Sequence, residues 1–194
     1  MKLGLTGGIG CGKSTFGKLL AARGWRLVQT DLVAREILET PEMTAAVREL
    51  FGPGVVGSDG KPDRAAIGRL VFADKTALAA LENRLHPQVR ARWEALVASD
   101  PTARWAVEIP LLFEKNLDAP FDLTVCVHCS QAVQFARLAA RGVPPEEAAA
   151  RMQAQLPVSE KVRRASLAVF NEGSPAFLTA QADLLDARFA ASRS

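Results

Sequence analysis

The chain has 194 residues, of which 48% are apolar and 23% charged, and a formal net charge of +3. This balance excludes a disordered chain and a coiled coil, and the length favours a single domain whose core needs no disulfide or metal. The sequence lacks the run of about 18 apolar residues that a membrane span requires and the block of like charges typical of a nucleic-acid-binding arm. Anionic small molecules suit this mild basic charge as well as any polymer does, and we expect neither nucleic acid nor a membrane as partner. The oligomeric state is left open.

The cysteine content indicates the compartment. Only three cysteines are present, Cys11, Cys126 and Cys129. Their number is small and odd, which does not suit a disulfide framework. Cys126 and Cys129 form a C-x-x-C pair, which is a metal-ligand spacing, but a second pair is missing and both lie in or beside an apolar run. The cysteines therefore predict a cytoplasmic protein in which the thiols serve packing.

Short apolar runs alternate with longer segments of helical period, a pattern typical of a parallel sheet covered by helices. Five strands are predicted, at residues 2–6, 26–30, 104–109, 122–128 and 167–170. Their apolar character is continuous rather than alternating, as expected for strands covered on both faces. The prediction is an α/β fold with three α/β/α layers and a parallel five-stranded sheet.

The long interval between the second and third strands exceeds what a single crossover helix requires. Residues 31–103 are therefore predicted to form a helical substrate-binding region. Within it, apolar residues recur at helical spacing, but Pro87 is predicted to end or kink the helix and to place His86 at a junction. Residues 51–64 are dense in Gly, Pro and Asp and predict an exposed loop.

A phosphate-binding loop follows the first predicted strand. Residues 7–14 read GGIGCGKS and match G-x-x-x-x-G-K-[ST] between a strand and a helix. Glycines let the backbone fold around phosphate oxygens, the lysine reaches the β- and γ-phosphates, and the serine hydroxyl binds Mg²⁺. The alternative is a plain glycine-rich turn. The motif predicts ATP and Mg²⁺ as cofactors and these ATP-binding residues: Gly8, Ile9, Gly10, Cys11, Gly12, Lys13, Ser14 and Thr15.

A P-loop indicates a nucleoside triphosphate but not a reaction. The D-x-x-G and N-K-x-D motifs of GTPase switches do not occur in the sequence, and a motor ATPase needs a longer chain. A kinase of a small metabolite is the remaining enzyme class, and an ATP-sensing module without turnover is the alternative from another class.

Further motifs follow the P-loop in a fixed order along the chain. They are Asp31 and Arg35 after the second strand, His86-Pro87, Pro110-Leu111-Leu112-Phe113-Glu114 at the third strand, Arg137 and Arg141, and Asn171 and Gly173 after the last strand. Together with the P-loop they resemble the dephospho-CoA kinase family, which phosphorylates the ribose 3′-hydroxyl of dephospho-CoA with ATP in the last step of coenzyme A biosynthesis. Another nucleotide or metabolite kinase is the runner-up.

The resemblance implies roles on the acceptor side. Asp31 follows a strand at the edge where ligands bind, and it would act as general base and approach Mg²⁺; the alternative is a helix N-cap. Arg35, four residues on, would bind substrate or the transferring phosphate, the alternative being an ion pair along the helix. The remaining substrate contacts implied are His86, Pro110, Leu111, Leu112 and Glu114, although Leu112 and Phe113 fit a core equally well.

On the ATP side, the resemblance implies a lid. Arg137 and Arg141 share a helix face and would close over the triphosphate as catalytic residues beside Lys13 and Asp31; the alternative is a solvated basic face. Asn171 and Gly173 would contact the ATP adenine, or form a simple turn. The implied division of the single domain is a nucleotide-binding core at about 1–30, 104–136 and 166–194, the helical region at 31–103, and the lid at about 137–165.

Four positions depart from the family pattern. Gln29 stands where many members have an acid, Cys11 where serine is usual, Glu108 where aspartate is common, and Ser166 where an aspartate precedes the last strand. The first of these makes a secondary Mg²⁺ contact doubtful.

Overall fold

A parallel sheet forms the centre of the structure, a computed structural model that describes residues 1–190. Its strands are β1 (Lys2–Gly7), β2 (Arg26–Gln29), β3 (Trp105–Glu108), β4 (Leu123–His128) and β5 (Leu167–Phe170). Every pairing is parallel, and the order across the sheet is β2-β3-β1-β4-β5. The predicted five-stranded parallel sheet is confirmed, with β1 at its centre.

The helices are α1 (Lys13–Ala21), α2 (Thr30–Leu38), α3 (Pro41–Phe51), α4 (Arg64–Ala73), α5 (Lys75–Ser99), α6 (Gln131–Ala139), α7 (Pro145–Gln153), α8 (Val158–Arg164) and α9 (Pro175–Ala190). The chain forms two units: a sheet unit, Met1–Gln29 with the described residues from Asp100 onward, and a helical unit, Thr30–Ser99. Within residues 1–190, no helix combines the length and apolar character needed to cross a membrane.

In the sheet unit, both faces of β1 are covered. Leu3 and Leu5 are fully buried on one face, in a core that includes Phe16 of α1 and Leu178 of α9. On the other face the backbone at Gly4 is closely approached, since a Cβ there would lie 2.9 Å from the Phe121 ring. Helix α8 also packs against β1 and β4. These contacts produce the predicted three layers.

Helix α9 is held to the rest of the sheet unit by polar contacts as well as by apolar packing. Asp186 Oδ1 accepts hydrogen bonds from Trp25 Nε1 at 2.8 Å and Arg104 Nη1 at 2.6 Å. Arg23 forms an ion pair with Asp183 at 2.7 Å. Both acids lie in the last helix, so they tie the end of the described chain to its beginning.

In the helical unit, α5 packs against α2, α3 and α4. The prediction that His86 lies at a junction between helices is wrong, because α5 continues through Pro87 without interruption. A proline inside a helix removes one hydrogen bond and costs about 3 kcal/mol, which burial of side chains such as Leu81 and Trp93 on either side of it offsets.

The predicted loop at 51–64 is largely confirmed. Phe51 still belongs to α3 and Arg64 already to α4, and the residues between them contain only a short 3₁₀ turn at Pro53–Val55 and an isolated bridge between Val56 and Pro62. The loop is not wholly exposed, since Val55 is buried. Asp63 then caps α4 by accepting hydrogen bonds from the Ala65 and Ala66 amides.

Candidate active site

The P-loop joins the end of β1 to the start of α1. Gly10 and Gly12 adopt φ angles of 77° and 92°, in the left-handed region that favours glycine. A Cβ on Gly12 would lie 2.2 Å from Asn171 Nδ2, and one on Gly8 would lie 2.6 Å from Gln134 Nε2. Gly12 also occupies the N-cap of α1 and provides no side-chain cap. The helix N-terminus thus presents backbone N–H groups suited to an anion.

Two glutamines hold the loop from outside at Ile9. Gln134 Nε2 donates to the Ile9 carbonyl at 2.6 Å, and Gln155 Oε1 accepts from the Ile9 amide at 3.1 Å. Gln134 belongs to α6, whereas Gln155 lies between α7 and α8. Both peptide groups of this residue are therefore fixed by distant parts of the chain, which preorganises the loop.

Arg137 and Asn171 hold the next part of the loop. Asn171 Nδ2 donates to the Cys11 carbonyl at 2.8 Å, and Arg137 Nη1 donates to the Gly10 carbonyl at 3.3 Å. Arg137 Nη2 also donates to the Asn171 carbonyl at 2.9 Å. The structure thus places these two predicted site residues against the backbone of the P-loop. The predicted contact of Asn171 with adenine and the lid role of Arg137 stay predictions.

Lys13 lies over the loop that precedes it. Its side chain is 9% exposed, and Nζ donates to the carbonyls of Gly7 at 3.2 Å and Gly8 at 3.1 Å. The ammonium is thereby held beside the N-terminus of α1, where a lysine of this motif meets phosphate oxygens.

Ser14 and a buried acid meet beside Lys13. Ser14 Oγ donates to Glu108 Oε1 at 2.7 Å, and Gln29 Nε2 donates to Glu108 Oε2 at 2.7 Å. Glu108 is 5% exposed and ends β3, next to β1 in the sheet. Because Gln29 is an amide rather than an acid, it donates to Glu108 instead of repelling it. This departure from the family pattern therefore gives the Glu108 carboxylate an additional hydrogen bond.

The donor set around Ser14 fits Mg²⁺. Hydroxyl and carboxylate oxygens are the hard ligands that this ion prefers, and it usually takes only one or two of them from the protein. Within residues 1–190, no group of three or more His, Cys, Asp or Glu side chains forms a larger metal cage. Ser14 and Glu108 would hold the ion, with phosphate and water oxygens completing its coordination.

The sequence motifs do not predict the place of Glu108 beside Ser14. A usable signal was present, since an acid ending a buried strand lies at the carboxyl edge where ligands bind. Lys161, described below, gave no such signal. It stands in a short helix among Glu160, Arg163 and Arg164, which is typical of a solvated surface.

Three predicted site residues lie in the helical unit. Asp31 is in the first turn of α2, one residue inside the helix start, and Arg35 follows one turn later on the same helix. His86 lies in the middle of α5. All three are exposed. Asp31 is thus not the residue that precedes the helix, although an acid in the first turn is favourable for the helix dipole.

Residues 110–114 continue from β3 in the sheet unit. The Pro110 carbonyl accepts hydrogen bonds from Thr6 Oγ1 and Lys161 Nζ, and Glu114 forms an ion pair with Lys161. Leu112 is fully buried, as the core alternative expected, whereas Leu111 is half-buried.

The remaining predicted ATP contacts lie in turns. Arg141 is exposed just after α6, and Gly173 follows β5, close to the Phe177 side chain.

Ser166, the fourth departure from the family pattern, forms two hydrogen bonds with Thr124. Its Oγ accepts from the Thr124 amide, and its own amide donates to Thr124 Oγ1. Its role is to fix β5 to β4.

The cysteines pack in the core near the loop. All three are free and buried, and Cys129 Sγ lies 3.5 Å from Cys11 Sγ. Burial raises the pKa of the Cys126 and Cys129 thiols to about 12. Both thiols stay protonated at neutral pH, which favours packing over metal binding or redox chemistry.

The fold and the site together define a P-loop kinase domain. The same fold occurs in shikimate kinase from Bacteroides thetaiotaomicron, which superposes with a TM-score of 0.56 at 14% identity and 98% coverage of both chains.

The family model for dephospho-CoA kinase matches residues 1–176, and the chain belongs to that family. It is 44% identical to the dephospho-CoA kinase of Anaeromyxobacter dehalogenans, across 94% of this chain and 89% of the relative. The structure of dephospho-CoA kinase from Campylobacter jejuni superposes with a TM-score of 0.72 at 26% identity, covering 100% of each chain.

Proposed function

We propose that this protein transfers the γ-phosphoryl group of ATP to the ribose 3′-hydroxyl of dephospho-CoA, giving coenzyme A and ADP. The observation that carries the proposal is a complete P-loop, with Ser14 bonded to a buried Glu108, in a chain of the dephospho-CoA kinase family. The free cysteines are consistent with the cytoplasm, and we propose that the protein acts there on this small molecule without a nucleic-acid or membrane partner.

On the donor side, the P-loop amides and Lys13 bind the β- and γ-phosphates. Lys13 supplies a fixed positive charge at the oxygens on which negative charge accumulates during transfer. Mg²⁺, when bound, neutralises charge on the β- and γ-phosphates. Ser14 and Glu108 would be its protein ligands. The approach of Asp31 to Mg²⁺ stays a prediction from the family motif.

On the acceptor side, Asp31 accepts the proton of the ribose 3′-hydroxyl. The 3′-oxygen forms the new bond to the γ-phosphorus in line with the bridging oxygen, and the bond to that oxygen breaks, leaving ADP. Arg35 and His86 are the predicted acceptor contacts that the family resemblance implies. Pro110, Leu111 and Glu114 are further predicted contacts of the acceptor, whereas the fully buried Leu112 belongs to the core.

The lid arginines stabilise charge during transfer, while Asn171 and Gly173 contact the adenine of ATP. Arg141 is exposed in the structure, whereas Arg137 is already bonded to the P-loop backbone. Their contributions should therefore differ.

Arg141→Ala is expected to lower kcat more than ATP affinity, with an unchanged melting temperature. Arginines that meet developing charge are worth up to about 10³–10⁵-fold. Arg137→Ala should have a weaker effect on kcat and also lower the melting temperature, because the Gly10 and Asn171 carbonyls lose a donor. Steady-state kinetics and thermal denaturation measure both, with the exposed Arg163→Ala as control. If Arg141→Ala affects only ATP binding, or nothing, Arg141 belongs to a solvated face.

The acceptor distinguishes this function from its alternatives. With ATP and Mg²⁺, the protein should phosphorylate dephospho-CoA far better than adenosine, AMP or shikimate, because a long pantetheine-bearing ligand offers binding energy that small acceptors lack. ADP release across this panel of acceptors is the measurement. Equal or better use of AMP would favour another nucleotide kinase, and ATP binding without ADP release would favour a sensing module.

A further inference from the structure

Lys161 is a completely buried lysine outside the residues assigned so far. Its side chain is 0% exposed, and its Nζ lies 2.8 Å from Glu114 Oε1 and donates to the Pro110 carbonyl at 2.8 Å. Lysine is almost never fully buried unless it is paired, and a buried ion pair often contributes no more stability than apolar side chains of similar size. The pair therefore calls for an explanation other than stability.

Lys161 joins residues 110–114 to the strand that leads into the P-loop. The Pro110 carbonyl that it binds also accepts from Thr6 Oγ1 at 3.2 Å, and Thr6 directly precedes Gly7. The ammonium and the Thr6 hydroxyl thus share one acceptor. A shift of the Pro110 carbonyl would move residues 110–114 relative to β1, where the phosphate-binding loop begins.

Glu114 makes a second connection to the loop. Its Oε1 accepts a hydrogen bond from the Leu156 amide at 2.9 Å as well as pairing with Lys161. The preceding residue, Gln155, accepts from the Ile9 amide of the P-loop. The segment from Gln155 to Lys161 is therefore fastened both to residues 110–114 and to the P-loop.

The second carboxylate oxygen of Glu114, Oε2, lacks the hydrogen bonds that Oε1 accepts. Within the described part of the chain, Oε2 is buried and accepts no hydrogen bond. A buried polar atom without a partner is unfavourable, and native structures retain few of them. The pair thus fixes the carboxylate in one orientation at an energetic cost, as expected where geometry matters more than stability.

We propose that Lys161 is a positioning residue for phosphoryl transfer. It holds the Pro110 carbonyl and the Glu114 carboxylate, and through them the acceptor-binding residues 110–114, in a fixed relation to β1 and the P-loop. The inference rests on the proposed function, because it takes these residues to bind dephospho-CoA. A misplacement of about 1 Å costs on the order of 10²-fold in rate, so a small shift of this segment is enough to slow transfer.

The test compares Lys161→Met, Glu114→Gln and the double variant. The double variant leaves no unpaired buried charge and keeps an acceptor for the Leu156 amide, so it should recover the melting temperature lost in Lys161→Met. The kcat and KM for dephospho-CoA are measured together with the Kd of ATP. As a control, Arg104→Met/Asp186→Asn removes an ion pair of the sheet unit that holds α9.

We expect Lys161→Met and the double variant to lose about 100-fold in kcat/KM for dephospho-CoA. The Kd of ATP should change less than about threefold, because the P-loop keeps its own contacts. The control pair should keep its kcat/KM.

A stable double variant with wild-type kcat/KM would overturn the proposal, as would a loss confined to ATP binding. A double variant that does not fold would also contradict it by assigning the pair to stability. Wild-type protein that makes no coenzyme A would instead refute the proposed function.

Discussion

Lys13→Ala is expected to slow phosphoryl transfer by about two to three orders of magnitude and to leave the fold intact. The ammonium bonds to the Gly7 and Gly8 carbonyls within the loop and is not part of the apolar core around Phe16 and Leu20. Loss of one preorganised charge at the transferring group lowers kcat by about 10²–10³-fold. The measurement is ADP release at saturating dephospho-CoA, accompanied by thermal denaturation.

Lys18→Ala is the matched control for this variant, since Lys18 lies on the same helix, α1, and is exposed. It should keep the wild-type rate. A folded Lys13→Ala protein that turns over as fast as the control would refute the assignment of the loop as a phosphate site.

Asp31→Asn is expected to lower kcat by about 10²–10⁴-fold, the usual worth of a general base. The substitution keeps the shape of the side chain and removes its ability to accept the hydroxyl proton. The melting temperature should change little, because Asp31 is exposed in the first turn of α2. A pre-steady-state measurement of coenzyme A formation reports the chemical step directly.

Asp74→Asn provides the comparison for Asp31→Asn. Asp74 is likewise exposed and lies at a helix start in the helical unit, where its carboxylate accepts from the Thr76 amide. It should affect stability slightly and kcat not at all. If Asp31→Asn lowers the melting temperature while kcat holds, the residue serves the helix rather than the reaction.

Much of the fold follows from local patterns. Each predicted strand lies within one residue of the observed one, because strands buried on both faces leave continuous apolar runs in the sequence. The helix through Pro87 was missed for the opposite reason. A proline is a local signal, but the packing of α5 against three other helices is not visible in the sequence around it.

The candidate site was predictable where a motif encodes it. The spacing of the glycines, Lys13 and Ser14 is sufficient to predict the P-loop. Contacts such as Gln155 with Ile9, or Lys161 with Pro110, join residues far apart in the chain. Such pairings depend on how the helices pack on the sheet. The hydrogen bonds of Arg137 to the P-loop backbone and the burial of Lys161 therefore could not be predicted from the residues next to them in the sequence.

The identity of the product formed from dephospho-CoA tests the proposed kinase activity most directly. Purified protein is incubated with ATP, Mg²⁺ and dephospho-CoA, and the products are identified by ³¹P NMR and mass spectrometry. The proposed reaction gives one new phosphomonoester on the ribose 3′-oxygen and one ADP for each coenzyme A formed. Phosphate at another position, or ADP released to inorganic phosphate with dephospho-CoA unchanged, would contradict it.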